Sequence, residues 1–116
     1  MLQVVQHRCA EMLIDVTLAS DAVFDAAATI DRGADDCQVV VAAAYAQATA
    51  IERCRRVTAA AHQLAGGHGI HADAPFHRWY RRAKAAEPEL GDVRSHRETI
   101  ATALLGPTAA ARAENR

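Results

Sequence analysis

Residues 5–33, VQHRCAEMLIDVTLASDAVFDAAATIDRG, decide the class of fold. Apolar side chains recur along this stretch at alternating steps of four and three residues, which places them on one face of an α-helix. They are Val5, Cys9, Met12, Val16, Ala19, Val23, Ala26 and Ile30. No Gly or Pro precedes Gly33, which can adopt the left-handed conformation that ends a helix. The stretch therefore predicts a long amphipathic first helix, after which Asp35 or Asp36 can cap the next one.

A second long helix follows, and it is rich in alanine. One face carries Ala43, Ala46, Ala50, Cys54, Val57, Ala61 and Leu64, and a neighbouring row carries Val41, Ala44, Ala48 and Ile51. Small side chains allow neighbouring helices to approach closely, and an apolar band this wide predicts contacts on more than one side. The helix is expected to end at Gly66-Gly67.

The remainder of the chain predicts two shorter helices. A loop covers residues 66–74, and Pro75 suits the first turn of a helix that runs roughly to Ala86. Pro88 then interrupts the chain, and Gly91-Asp92 precede a last helix that ends near Leu105. The predicted fold is all-α, a partial up-down four-helix bundle with two long antiparallel helices followed by two shorter ones. We expect one domain over residues 1–105 and a frayed or disordered tail over residues 106–116.

Composition narrows the class of protein. Hydrophobic residues make up 51% of the 116 residues but aromatic residues only 4%, which suits closely packed helices better than a sheet. The formal net charge of -1 gives no field that favours nucleic acid or an anionic membrane. No stretch has the ~20 uncharged residues of a membrane span. Three widely spaced cysteines and a polar N-terminus without a signal peptide predict a cytoplasmic protein.

Two motifs in the second half carry a resemblance to a known family. The first is QLAGGHGI at residues 63–70, followed by Asp-Ala-Pro at 73–75, and the second is WYRRAK at residues 79–84. Their order resembles the C-terminal signature of the acyl-CoA dehydrogenases: Gln, Gly-Gly-x-Gly, an acidic residue before Pro, and an aromatic-Arg-x-Ala stretch. Upstream, Leu-Gln at 2–3 and Ala-Glu-Met at 10–12 are similar to the family's Phe-Gln and Ala-Asp/Glu-Met helix.

The resemblance implies a function for the protein to which this chain contributes. The family removes two hydrogens from an acyl-CoA thioester and passes a hydride to FAD. Its subunits carry an N-terminal helical domain, a β domain and a C-terminal helical domain that forms the core of a dimer or tetramer. This chain resembles only the later helices of the last domain. We therefore expect it to meet acyl-CoA within a complete enzyme, to form a homo- or hetero-oligomer, and not to catalyse alone.

Three residues match the positions that hold the ADP part of FAD in the family: Gln63, Gly66 and Gly67. Glycine lets backbone N–H groups approach a pyrophosphate, and a nearby amide side chain adds a donor. The alternative is that Gly66-Gly67 only ends the helix and that Gln63 is solvated. With the surrounding resemblance, the FAD interpretation is preferred.

The catalytic base is missing from its usual place. Many family members place a Glu before Gly-Thr in the segment after the aromatic-Arg-x-Ala stretch, and that position is Leu90 here. Leucine cannot take a proton. Glu89 is adjacent and Glu87 is close, but we interpret both as solvated loop carboxylates. We therefore assign no catalytic residue, and Asp92 and Arg94 also differ from the Thr and Gln that often follow.

Histidines and arginines suggest two further sites, and neither interpretation is adopted. His62, His68, His71 and His77 match no standard zinc spacing and have no cysteine close by, so no metal site is predicted. A basic cluster surrounds the aromatic pair Trp79-Tyr80 and consists of Arg78, Arg81, Arg82 and Lys84. It is interpreted as the solvated face of a helix rather than as a nucleic-acid site, because the overall charge is balanced.

Three functions remain open at this stage. The chain is part of an FAD-dependent acyl-CoA dehydrogenase, contributing ADP-side contacts and the oligomer core. Alternatively, it is an accessory subunit that lacks the base, which Leu90 favours slightly. The third is a helical interaction module that no longer binds flavin.

Overall fold

The chain is described by a computed structural model over residues 2–66, 75–89 and 91–106. Within these ranges it forms four α-helices, and its only β contact is a single bridge. They are α1 (Leu2–Asp31), α2 (Asp36–Ala65), α3 (Pro75–Ala86) and α4 (Val93–Leu105). The predicted all-α fold, with two long antiparallel helices followed by two shorter ones, is confirmed. The predictions for the loop at 67–74 and for the tail at 107–116 lie outside the described residues.

Local signals explain the tight turn between the long helices. Gly33 has φ +71°, and the next N–H, of Ala34, donates to the carbonyl of Thr29 at 3.3 Å. This is a Schellman ending, which a glycine in the left-handed region allows. Asp35 then caps α2, since its carboxylate accepts from the N–H of Gln38 at 2.9 Å. The Gln38 side chain accepts from the N–H of Asp35 in return, which completes a capping box.

Helix α2 is the centre of the fold. Within the described residues, α1, α3 and α4 each pack along α2 and not against one another. Helix α3 contacts α2 in its C-terminal half, where Arg55 binds Glu87, the residue directly after α3. Helix α4 runs along α2 from Glu52, near the middle of α2, to Cys37 at its start. The buried apolar residues are small apart from one isoleucine: Ala22, Ala44, Ala46, Ala48 and Ile51. The alanines let the helix backbones approach closely, as their number in the sequence predicts.

Helix α1 packs through a face that overlaps only in part with the predicted one. Its buried residues are Asp15, Ala22 and Thr29, seven positions apart, and Ala19 and Ala26 beside them are half-buried. The predicted row of Val5, Val16, Val23 and Ile30 is instead 43–56% exposed. The prediction is therefore confirmed only for the small members of the row, Ala19 and Ala26, and its larger members are exposed because α1 is apolar on several sides. The face with small side chains is the one that permits close approach to α2.

Much apolar surface therefore stays uncovered in this chain. Its radius of gyration is 17.3 Å, against about 13 Å for a compact domain of this length. On α1 the exposed large side chains include Leu13, Ile14, Val16, Val23 and Phe24. A surface of this kind is typical of a chain that packs against further protein. None of the helices in the described ranges is both long enough and apolar enough to cross a membrane.

Candidate functional site

The predicted FAD residues lie at the C-terminal end of α2. Gln63 is in the last turn of the helix and its side chain is exposed. Its carbonyl accepts the N–H of Gly66, which ends the helix. The structure therefore brings Gln63 and Gly66 to one helix end, as the motif requires. Gly67 lies outside the described residues.

The backbone at Gly66 explains why this position is glycine. Its φ is +58° and its ψ is -131°, a region that residues with a Cβ rarely enter. Among the described residues, a Cβ added at Gly66 would meet nothing within 4 Å, so the constraint that they show comes from the backbone. The N–H of Gly66 is used in the helix cap and is not directed at a ligand. Within the described part of α2, the polar group of the predicted site is therefore the exposed side chain of Gln63.

Helix α3 returns from this end along α2 through an aromatic contact. The rings of His62 and Tyr80 lie 5.5 Å apart between centroids and are tilted by 46°. The Nδ1 atom of His62 is buried and has no hydrogen-bond partner among the described residues. Lys84 places its Nζ 5.9 Å from the centre of the Tyr80 ring, within the range of a cation–π contact. The aromatic-Arg-x-Ala motif therefore turns its tyrosine toward α2.

The C-terminal end of α3 is tied to α2 by a bidentate ion pair. Arg55 donates from Nε to one Glu87 oxygen at 3.1 Å and from Nη2 to the other at 3.0 Å. Lys84 Nζ lies 3.5 Å from the first of these oxygens. The Glu87 side chain is 20% exposed, so the prediction of a solvated loop carboxylate was wrong for this residue. Its partner lies 32 positions away, which no local pattern reveals.

These contacts make Glu87 a poor general base. The hydrogen bond from Arg55 lowers the pKa of the Glu87 carboxyl, and the charges of Arg55 and Lys84 act in the same direction against the opposing effect of burial. The same hydrogen bond and the charge of Glu87 raise the pKa of Arg55. A base that removes a weakly acidic proton needs a raised pKa. Glu87 is shifted the other way.

The segment between α3 and α4 forms a tight turn. Glu89 is exposed and forms an isolated bridge with Gly91, which has φ +100°. A Cβ at Gly91 would lie 3.4 Å from Nε2 of His96, an ordinary van der Waals distance, so it is the positive φ that favours glycine here. Asp92 caps α4 by accepting from the N–H of Ser95 at 2.8 Å. Leu90, at the usual position of the base, lies outside the described residues.

A groove of about 410 Å³ runs between α1, α2 and α3. Its walls are mostly apolar, with Val16 and Ala19 on α1 and Trp79 and Ala83 on α3. Ala50, Ile51, Cys54 and Val57 form its floor on α2. The sequence predicted that α2 has contacts on more than one side, and the groove is a side that this chain leaves open. Trp79 is 55% exposed at its edge.

No metal site is formed by the residues that the structure describes. They contain no group of three or more His, Cys, Asp or Glu side chains that could hold an ion. His68 and His71 lie in the segment that is not described. The three cysteines are free and exposed. Arg78, Arg81 and Arg82 are also exposed, in keeping with a solvated face of α3.

Comparison with known proteins identifies the family. A family model described as the acyl-CoA dehydrogenase C-terminal domain matches residues 1–105. A probable acyl-CoA dehydrogenase, FadE25 of Mycobacterium tuberculosis strain H37Rv, is 36% identical over 105 residues, which cover 89% of this chain and 26% of the relative. Its Mycobacterium leprae counterpart, also named a probable acyl-CoA dehydrogenase, is 35% identical over 103 residues with the same coverage. No solved structure is a significant match.

The match covers most of this chain but only part of each relative. The chain spans about a quarter of the length of these relatives, and the matched region contains all four helices. The motifs at residues 63–70 and 79–84 lie inside it, in the order that the resemblance requires. The chain belongs to the acyl-CoA dehydrogenase family, and the part of the family that it represents is the C-terminal domain.

Proposed function

We propose that this chain serves as the C-terminal helical part of an FAD-dependent acyl-CoA dehydrogenase, which removes hydrogens from the α and β carbons of an acyl-CoA thioester. The observation that carries the proposal is the family match over residues 1–105. The domain is proposed to be these residues, with residues 106–116 as a tail. We also propose that the protein works in a reducing cytoplasm, with which its free, exposed cysteines are consistent.

The proposed contribution to the cofactor is at the end of α2. Gln63, Gly66 and Gly67 would hold the ADP part of FAD, and the flavin ring of the bound cofactor would accept the hydride. The exposed amide of Gln63 supports this role, as does the backbone at Gly66, where an added Cβ meets no atom of the described residues within 4 Å. The glycine lets a ligand approach the backbone closely.

The chain is proposed to act only within an oligomer or a larger polypeptide. Its exposed apolar side chains on α1 and the groove beside α2 support an oligomer core, homomeric or heteromeric. The acyl-CoA site would be completed by protein outside this chain. We propose that these 116 residues alone have no dehydrogenase activity.

Flavin retention tests the cofactor assignment. The native assembly is purified through a tag on this chain, and its flavin absorbance per chain is compared among variants. Gln63→Ala and a bulky replacement, Gly67→Val, are expected to lower flavin content. Gln6→Ala is the matched control, since Gln6 is also an exposed helical glutamine. Flavin content equal to that of the control in both variants would refute the assignment of these residues to FAD binding.

A second candidate is an accessory subunit without a base. It is favoured by the engagement of Glu87 with Arg55 together with leucine at position 90. Under this proposal the chain co-purifies with a separate dehydrogenase chain, and a mutation that removes Glu89 leaves the activity of the complex unchanged. A large loss of activity in Glu89→Gln would assign the base to this chain instead.

A further inference from the structure

Two ion pairs from adjacent turns of α2 hold the two sides of the α3–α4 turn. Arg55 binds Glu87, the residue directly after α3. Glu52, three residues earlier on α2, accepts a hydrogen bond from Arg97 on α4. Residues three apart on a helix lie on neighbouring turns of one face. One short surface of α2 therefore contacts the chain on both sides of residues 87–92.

The way α3 and α4 pack makes the position of the turn depend on these contacts with α2. Helices α3 and α4 do not pack against each other in the described part of the chain, so each is placed by its own contacts with α2. Within the described residues, the two sides of the turn are joined to α2 through Glu87 and through Arg97. Its position is therefore set by what fixes the end of α3 and the start of α4 on α2.

The two pairs differ in strength. Most exposed ion pairs contribute little, but bidentate arginine–carboxylate geometry and multi-charge networks are the exceptions. The pair of Arg55 with Glu87 is bidentate and includes Lys84 as a third charge. The Glu52–Arg97 pair is a single contact with more exposed side chains. Arg55 is thus the stronger of the two anchors.

We propose that Arg55, assisted by Glu52, is a positioning residue that fixes the α3–α4 turn on α2 and, through this turn, affects the binding of acyl-CoA in the assembled dehydrogenase. The second half of this statement rests on the proposed function, since the resemblance places the turn at the reacting end of the substrate. Arg55 acts through Glu87 and does not touch the substrate itself.

Hydrogen exchange tests, without any need for activity, whether the Arg55–Glu87 and Glu52–Arg97 pairs hold the turn on α2, an arrangement that we call the clamp. In the native assembly that contains this chain, Arg55→Ala is expected to speed exchange of the backbone amides between Glu87 and Ser95 by about fivefold, the factor that a well-formed pair can supply. Glu87→Gln is expected to do the same. Exchanging the charges in Arg55→Glu with Glu87→Arg is expected to return the rate toward that of the native protein.

The control is Glu98→Gln, which removes an ion pair with Arg94 of similar length, 2.9 Å, within α4. It is expected to leave exchange in the turn unchanged. Exchange in Arg55→Ala and Glu87→Gln no faster than in this control would overturn the clamp. Should Arg55→Ala fail to fold, Glu87→Gln decides the question alone.

Kinetics of the same assembly test the functional half. Arg55→Ala is expected to raise KM for acyl-CoA about fivefold while flavin content stays at the native level, and the charge-exchanged double variant is expected to restore KM. Equal losses of flavin and kcat with an unchanged KM would show a purely structural role and overturn the positioning role. A native assembly without flavin would contradict the proposed function, whereas the exchange measurement would still decide the clamp.

Discussion

Asp15 offers the sharpest test of how the two long helices are held together. Its side chain is only 5% exposed, and Oδ1 accepts from Nη1 of Arg53 at 2.7 Å. Nη1 of Arg56 lies 3.4 Å from the same oxygen. The carboxylate of α1 is therefore enclosed by two cations of α2. We predict that Asp15→Ala lowers the free energy of unfolding more than any exposed charge removal on α1.

The size of the effect follows from the burial of each partner. Removing one partner of a buried pair costs about 3–5 kcal/mol, and one charge-assisted hydrogen bond contributes about 1.5–3 kcal/mol. Arg53 and Arg56 are 31% and 60% exposed and remain hydrated after the substitution. We therefore expect the lower range, about 2 kcal/mol. For a domain of this size that corresponds to a fall in Tm of about 8 °C.

The assay is thermal unfolding followed by circular dichroism at one fixed protein concentration, because association shifts Tm. Glu11→Ala is the matched control. It removes an α1 carboxylate that pairs with Arg8 at 3.1 Å, but both side chains are more than half exposed. The control is expected to cost no more than about 0.5 kcal/mol. A Tm for Asp15→Ala within about 2 °C of the control would refute the reasoning.

Three further predictions concern the backbone, pH and association. Gly66→Ala is expected to destabilise the chain by about 1–2 kcal/mol through backbone strain alone, measured by denaturant unfolding; a neutral result would contradict the conformation at the helix end. The lowered pKa of Glu87 means that its contribution to stability is present above the ordinary carboxyl value of 4.5 and is lost as pH falls through the lower folded value. The difference in Tm between the native chain and Glu87→Gln should therefore shrink on acidification below that value, and a difference that is constant from pH 6 to about pH 3 would contradict it. The isolated chain is expected to self-associate or to fold only in part, because α1 exposes Val16, Val23 and Phe24. A monodisperse monomer with a sharp transition in ultracentrifugation and calorimetry would oppose this expectation.

Sequence reasoning located the helices well because their ends are set by local chemistry. Gly33 and Asp35 mark the turn between the long helices, and both act there through hydrogen bonds within a few residues. Pro75 begins α3 and Asp92 caps α4, again within one turn of the chain. Signals of this range are readable from a single sequence.

The packing of α1 was not readable in the same way. Helix α1 carries apolar residues on several sides, and the largest of them, including Val16 and Val23, are exposed. Which side faces α2 depends on the small residues of both helices and on the pairing of Asp15 with Arg53, 38 positions apart. A charged residue on the packed face runs against the apolar pattern from which the face was predicted.

Part of the candidate site was predictable from the local sequence, and part was not. Gln63 and Gly66 are neighbours on one helix end, so their motif predicts their proximity. The bond between Arg55 and Glu87 joins residues 32 positions apart, and nothing in either local sequence marks it. The interpretation of Glu87 as solvated was wrong for that reason, whereas Glu89 is exposed as expected.

The most direct test of the central claim is the FAD content of the native assembly purified through a C-terminal tag on this chain. The account predicts bound FAD at close to one molecule per copy of the chain in a homomeric enzyme, and per dehydrogenase site in a heteromeric one. An intact assembly that contains this chain and no flavin would contradict the proposal that it is part of an FAD-dependent acyl-CoA dehydrogenase.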